Sequence, residues 1–136
     1  MFIEGIPAPQ GSKNAYQRGG RIVLVEASKK LKPWRDVVRS AFIQAAAADD
    51  VYTMANIDKN MGIGIYISFH LPRPKTVKRL WPTVKPDLDK LVRAVLDAGT
   101  GVLWMDDAQV RFIEARKIYA TSVPGVYVNV HPLDND

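Results

Sequence analysis

A chain of 136 residues, 47% hydrophobic and 24% charged, is sized and composed for one globular domain with its own core. It has no cysteine and only two histidines, His70 and His131, which excludes a disulfide scaffold, a thiolate zinc site, a cysteine nucleophile and a histidine-rich metal centre. The net charge of +5 is uneven: residues 1–85 hold 14 Lys/Arg against 6 Asp/Glu, and residues 86–136 hold 5 against 8.

Residues 2–6 read as a short opening strand, and GIPAPQGSKN as a loop broken by Pro7, Pro9 and Gly11. No basic region followed by an apolar run stands at the N-terminus and no segment nears the ~18 apolar residues of a membrane span, so a soluble, cytoplasmic protein is expected. Tyr16–Arg18 and Arg21–Val25 flank Gly19-Gly20 as a hairpin with a two-residue turn. A helix is expected over 33–48, with Pro33 at its first position and Trp34, Val37, Val38, Ala41, Phe42 and Ala45 as its apolar stripe. Residues 49–60 are polar and read as a connecting loop.

Residues 61–70 alternate strictly, with Ile63, Ile65, Ile67 and Phe69 on one face and Gly64, Tyr66, Ser68 and His70 on the other, the pattern of a half-buried strand. LPRPKTVKRLWPTVKP follows, with four prolines and five basic residues, and cannot be a regular helix. A second helix is expected over 88–98. Leu88, Leu91, Val92, Val95 and Leu96 form its apolar face, Asp89, Arg93 and Asp97 its polar one, with Asp87 as N-cap and Gly99 and Gly101 as its end. Strands are expected at 109–119 and around Val126, Val128 and Val130. The fold class is small α/β (α+β): a single domain over 1–136 with one mixed sheet packed with two main helices.

Several chemistries fail on inspection. GIPAPQGSK lacks the spacing of a phosphate-binding P-loop, and neither G-x-S-x-G nor H-E-x-x-H occurs. PDLDKLVRAVLDAG opens like a calcium loop, but Val92 and Ala98 stand where a turn glycine and a bidentate Glu are needed. What survives is Asp87-x-Asp89 at a helix start and Asp106-Asp107 after a short turn. The intervening helix and turn return the chain, so the second pair is expected to approach the first. Converging carboxylates repel unless a cation relieves them, and all-oxygen ligands suit magnesium or manganese. The same residues also fit a helix cap, a dipole-complementing residue and an exposed turn.

The basic loop, with Arg73, Lys75, Lys78, Arg79 and Lys85, runs directly into Asp87. Cations beside a carboxylate cluster make sense where a phosphate backbone is held against a metal, which then activates water and polarises a phosphoryl oxygen. Arg93, one turn beyond Asp89, either orients the cluster or contacts the scissile phosphate.

Lys85-Pro86-Asp87-Leu88-Asp89-Lys90-Leu91, then Ala94-Val95-Leu96-Asp97 and Asp106-Asp107-x-Gln109-Val110, resembles the RusA-type Holliday-junction resolvases. So do Gly5-x-Pro7-x-Pro9-Gln10-Gly11-Ser12-Lys13 and Lys32-Pro33-Trp34-Arg35, and the resemblance runs from about residue 3 to 130. It implies a small dimeric endonuclease of the kind common in phages and prophages, acting in DNA recombination and repair. Asp87 and Asp89 match the family's essential pair, Asp107 the third aspartate with Asp106 beside it, Arg93 a functional lysine, and Lys117 a further basic position. Lys90 departs from the usual Asn, and Arg93 from Lys; an arginine keeps its proton, so it can stabilise charge but not act as an acid.

The expectation is a magnesium-dependent hydrolase that nicks four-way junctions in pairs, with Asp87, Asp89, Asp106 and Asp107 as metal ligands and Asp87, Asp89, Asp107 and Arg93 as catalytic residues. Lys13, Arg35, Arg73, Lys75, Lys78, Arg79, Lys85 and Lys117 are the expected DNA contacts. A homodimer is expected, because two symmetric nicks need two sites; the helix stripes serve the core, which leaves the strands, including the Tyr66, Ser68 and His70 face of 61–70, and the N-terminal hairpin for its contact. The alternatives are a metal nuclease for other branched DNA and a non-catalytic basic DNA-binding module.

Overall fold

The computed structural model describes residues 1–11, 13–18, 21–26, 29–48 and 60–133, with 13–18 and 21–26 described in their backbone. The chain runs β1 (Phe2–Glu4), β2 (Lys13–Arg18), β3 (Arg21–Glu26), α1 (Leu31–Ala47), β4 (Gly62–Leu71), α2 (Leu88–Gly99), a 3₁₀ turn (Asp107–Gln109), β5 (Val110–Tyr119) and β6 (Gly125–Leu133). β1, β6, β4 and β5 form one mixed sheet in that order; β4 pairs parallel with β5 and antiparallel with β6. A parallel pair needs a crossover, and α2 supplies it. β2 and β3 form a separate antiparallel ribbon whose last pair is Arg18 with Arg21, the register of the expected two-residue hairpin. Gly19-Gly20 itself, like the expected loop over 49–60 except for Asn60, lies outside the described residues.

The alternation in β4 decides which face the helices cover. Ile63, Ile65, Ile67 and Phe69 are buried, and opposite them on β6 so are Val130, Val128 and Val126. These pack with Leu31, Trp34, Val38 and Phe42 of α1 and Leu91, Val92, Val95 and Ala98 of α2 in one core. The other face carries no helix of the described residues. Phe2, Tyr66, Phe112 and Tyr127 are exposed there, with Tyr66 edge-on to Phe112 and stacked on His131.

Element boundaries differ from expectation in instructive ways. α1 begins at Leu31, so Pro33 is its third residue and not its first. Nothing is lost, because the first four N–H groups of a helix have no intrahelical acceptor. Val37 is 45% exposed and leaves the stripe, whose buried line is Leu31, Trp34, Val38 and Phe42. In α2, Leu88 and Leu96 are only partly buried, while Ala94 and Ala98 are fully so. Small residues sit where α2 lies close to its neighbours. β1 stops at Glu4, and β2 takes in Lys13 and Asn14 from the expected loop. No helix among the described residues is long and apolar enough to cross a membrane.

Candidate active site

Asp87 occupies the N-cap position of α2 with extended backbone, yet its side chain makes no capping hydrogen bond. Asp89 lies in the first turn and is exposed, with only Lys90 Nζ nearby at 4.0 Å. Both carboxylates therefore stand at the positive end of a helix dipole, facing solvent. Beside them, Pro9, Gln10, Gly11, Lys85, Pro86, Asp87 and Lys90 line a cleft of about 400 Å³. The Pro-x-Pro-Gln-Gly segment is tied into place by Gln10 N, which donates to Lys90 O at 2.9 Å. Gln10 Oε1 is buried and has no hydrogen-bond partner among the described residues. The sequence signal for Gln10 is its place in the Gly5–Lys13 segment that resembles the family.

Asp106 and Asp107 stand at the opposite end of α2. Asp106 caps the 3₁₀ turn: its Oδ1 accepts from Ala108 N at 2.8 Å, and Gln109 Oε1 accepts from Asp106 N at 3.1 Å, a reciprocal capping box. Asp107 Oδ1 accepts from Trp104 Nε1 at 2.9 Å and lies within reach of the Thr100 hydroxyl, which is shared with Leu96 O. Its Oδ2 has no partner among the described residues. Trp104 reaches Asp107 because the chain turns tightly after α2. Gly101 takes a φ of +81°, a conformation that favours glycine, and the Trp104 ring lies where a Cβ on Gly99 would be. Arg39 of α1 holds the same end, donating to Thr100 O at 3.2 Å. Neither Thr100 nor Trp104 carried a sequence signal, since each acts only through the fold.

One chain thus does not bring the two carboxylate pairs together. Thr100, which holds Asp107, is the C-cap of α2, and Asp87 is its N-cap. Twelve helical residues at 1.5 Å each separate them by roughly 18 Å. Among the described residues no three His, Asp or Glu side chains stand close enough to hold a metal ion. The expected approach fails because the turn after α2 is short and feeds β5 at the helix's far end.

The basic residues divide by what they touch. Arg73 donates to Val77 O, Arg79 O and Leu80 O at 3.4, 2.7 and 3.2 Å, with its guanidinium 4.3 Å from the Tyr119 ring centre. Arg79 Nε donates to the Tyr119 hydroxyl at 2.9 Å. Lys117 Nζ donates to Val84 O and Pro86 O, each at 2.7 Å, and so fixes the backbone just before Asp87. Arg73 and Lys117 therefore shape the loop from within. Lys75, Lys78 and Lys85 are exposed and have no partner among the described residues. Arg93 is exposed on α2 and likewise forms no ion pair there, so it does not tether Asp89. Arg35 is half-buried on α1, and the Lys13 side chain lies outside the described residues.

This arrangement offers two acidic side chains that cap nothing beside a braced basic loop, and a second, hydrogen-bonded acidic pair at the far end of the same helix. No curated protein matches the chain. The family model for endodeoxyribonuclease RusA matches residues 4–131, which takes in the Pro-x-Pro-Gln-Gly segment, both aspartate pairs and Lys117. The chain belongs to the RusA endodeoxyribonuclease family.

Proposed function

We propose that this endodeoxyribonuclease is a magnesium-dependent, junction-selective enzyme that makes paired symmetric nicks in four-way DNA, in recombination and repair. The observation that carries the reading is the Asp87–Asp89 pair, exposed and free of capping duties, set directly after a basic loop whose backbone is held by Lys117 and Arg73. Magnesium is commonly held by one or two carboxylates, with water and substrate phosphate completing its shell. Asp87 and Asp89 fit that demand, and Gln10, whose Oε1 has no partner among the described residues, lines the same cleft as Asp87. Manganese accepts the same donors. A cation there would supply positive charge against a phosphoryl oxygen and favour hydrolysis by water.

The chain's own residues do the rest. Lys75, Lys78 and Lys85 bind backbone phosphates, and Arg93 stabilises charge on the scissile phosphate, its permanent charge leaving no role as a proton donor. Asp107, held by Trp104 and Thr100 through one oxygen, presents the other. In a two-fold pair of chains with antiparallel α2 helices, the Asp87–Asp89 end of one faces the Asp106–Asp107 end of the other. The homodimer then completes each site, and two sites match two symmetric nicks.

A nicking assay on a synthetic four-way junction, a flap and a plain duplex, with magnesium or with chelator, tests the reading. Paired nicks in the junction, only with metal, are expected. Preferential flap cutting points to a nuclease for other branched DNA. Binding without cutting in any condition leaves a non-catalytic DNA-binding module and overturns the proposal.

A further inference from the structure

The loop between β4 and α2 holds its largest apolar side chains out in solvent. Leu80, Trp81 and Val84 are 67%, 57% and 47% exposed. The loop is not loose. Arg73 gathers three of its carbonyls, Arg79 is fastened to Tyr119, and Thr83 N donates to Trp81 O at 2.9 Å. Pro82, next to Trp81, is buried, and Lys117 holds Val84 and Pro86. These bonds fix the backbone that carries the exposed indole. Exposed apolar groups fixed in this way mark a contact surface.

Charge selects the occupant. Lys75, Lys78 and Lys85 lie on the same loop, exposed and unpaired among the described residues. A partner must therefore offer flat apolar faces and dense negative charge together, and nucleic acid offers both. Aromatic side chains stack on bases, and apolar wedges enter duplexes where the stack is weakest. In branched DNA that place is the branch point, where the stack is interrupted.

Resting on the junction-nuclease reading, we propose that Trp81, with Leu80 beside it, stacks on a base at the branch point while Lys75, Lys78 and Lys85 take the flanking phosphates. The loop then acts as a wedge that selects branched DNA and sits directly upstream of the Asp87–Asp89 pair.

Tryptophan fluorescence isolates the contact. The chain has three tryptophans; Trp34 and Trp104 are 4% and 0% exposed, so Trp81 alone reports solvent. Titration with a four-way junction in chelator should quench and blue-shift the emission, and an equal-length duplex should do so far less. Trp81→Ala should weaken junction binding about five-fold or more, the low end of what stacking on one base contributes, and leave duplex binding nearly unchanged. Trp81→Phe should restore most of the loss. A 2-aminopurine at the branch point should change its emission with wild type and not with Trp81→Ala. Wild-type junction affinity in Trp81→Ala, with the 2-aminopurine response intact, overturns the wedge and leaves the nuclease reading standing. Equal quenching by duplex, or an emission change on concentrating the protein without DNA, also overturns it. A wild-type protein that does not bind junctions overturns both readings.

Discussion

At the scale of single residues, the four aspartates separate by what their oxygens already do. Among the described residues Asp87 and Asp89 cap nothing, and Asp89 has only a loose, exposed approach to Lys90, so as free carboxylates at the site Asp87→Asn or Asp89→Asn should abolish cleavage. Exposed substitutions away from packing usually stay within about 0.5 kcal/mol, so the thermal midpoint should hardly move. Near-wild-type cutting by Asp87→Asn would displace the site from this helix end. Asp106 is a cap, and Asp106→Ala should cost about 1 kcal/mol of stability, read by denaturant unfolding. Asp107→Asn should abolish cleavage, and Trp104→Phe should lower activity by freeing the carboxylate to rotate, with Asp87 chemistry otherwise intact. The acidic residues were legible in the sequence because carboxylates in close pairs are conspicuous. Their supports were not: Trp104 and Thr100 are ordinary residue types, and only the left-handed turn at Gly101 and the close approach at Gly99 bring them to Asp107.

At the scale of elements, the proline-rich loop is a braced basic projection. Neutralising Lys75, Lys78 and Lys85 together should weaken junction binding and reduce its log–log salt slope by roughly 0.9 per lost phosphate contact. An unchanged slope would place the DNA elsewhere. Arg73→Ala should act differently, lowering thermal stability along with affinity, because it removes the donor to three carbonyls. The sequence marked this segment as irregular and basic, but net charge does not distinguish a cation facing solvent from one turned onto its own backbone. The strand 61–70 was legible from strict alternation, whereas the start of α1 was misplaced by two residues because Pro33 is equally at home anywhere in a first turn. Sheet order depends on pairing between distant segments, and no local pattern carried it.

At the scale of the whole molecule, the separation of the acidic pairs is the feature that a linear reading missed. Residue spacing suggested convergence, but a helix is straight over twelve residues and the return turn is too short to bring the chain back alongside it. The helix-free face of the sheet, with Phe2, Tyr66, Phe112 and Tyr127 exposed, lies across the sheet from α2, so a copy docked there could not bring two α2 helices together; a site shared between chains calls for a contact on the α2 side. Sedimentation at micromolar concentration should give a dimer; a clean wild-type monomer, alone and on junction DNA, would remove the paired-nick mechanism. The most direct measurement is subunit complementation. An Asp87→Asn/Asp89→Asn variant and an Asp107→Asn variant, each inactive alone, are mixed and allowed to exchange subunits before junction DNA and magnesium are added. A site shared between chains predicts that the mixture regains nicking, because each mixed dimer assembles one complete set of carboxylates; a mixture that contains heterodimers yet stays as inactive as its parts would contradict it.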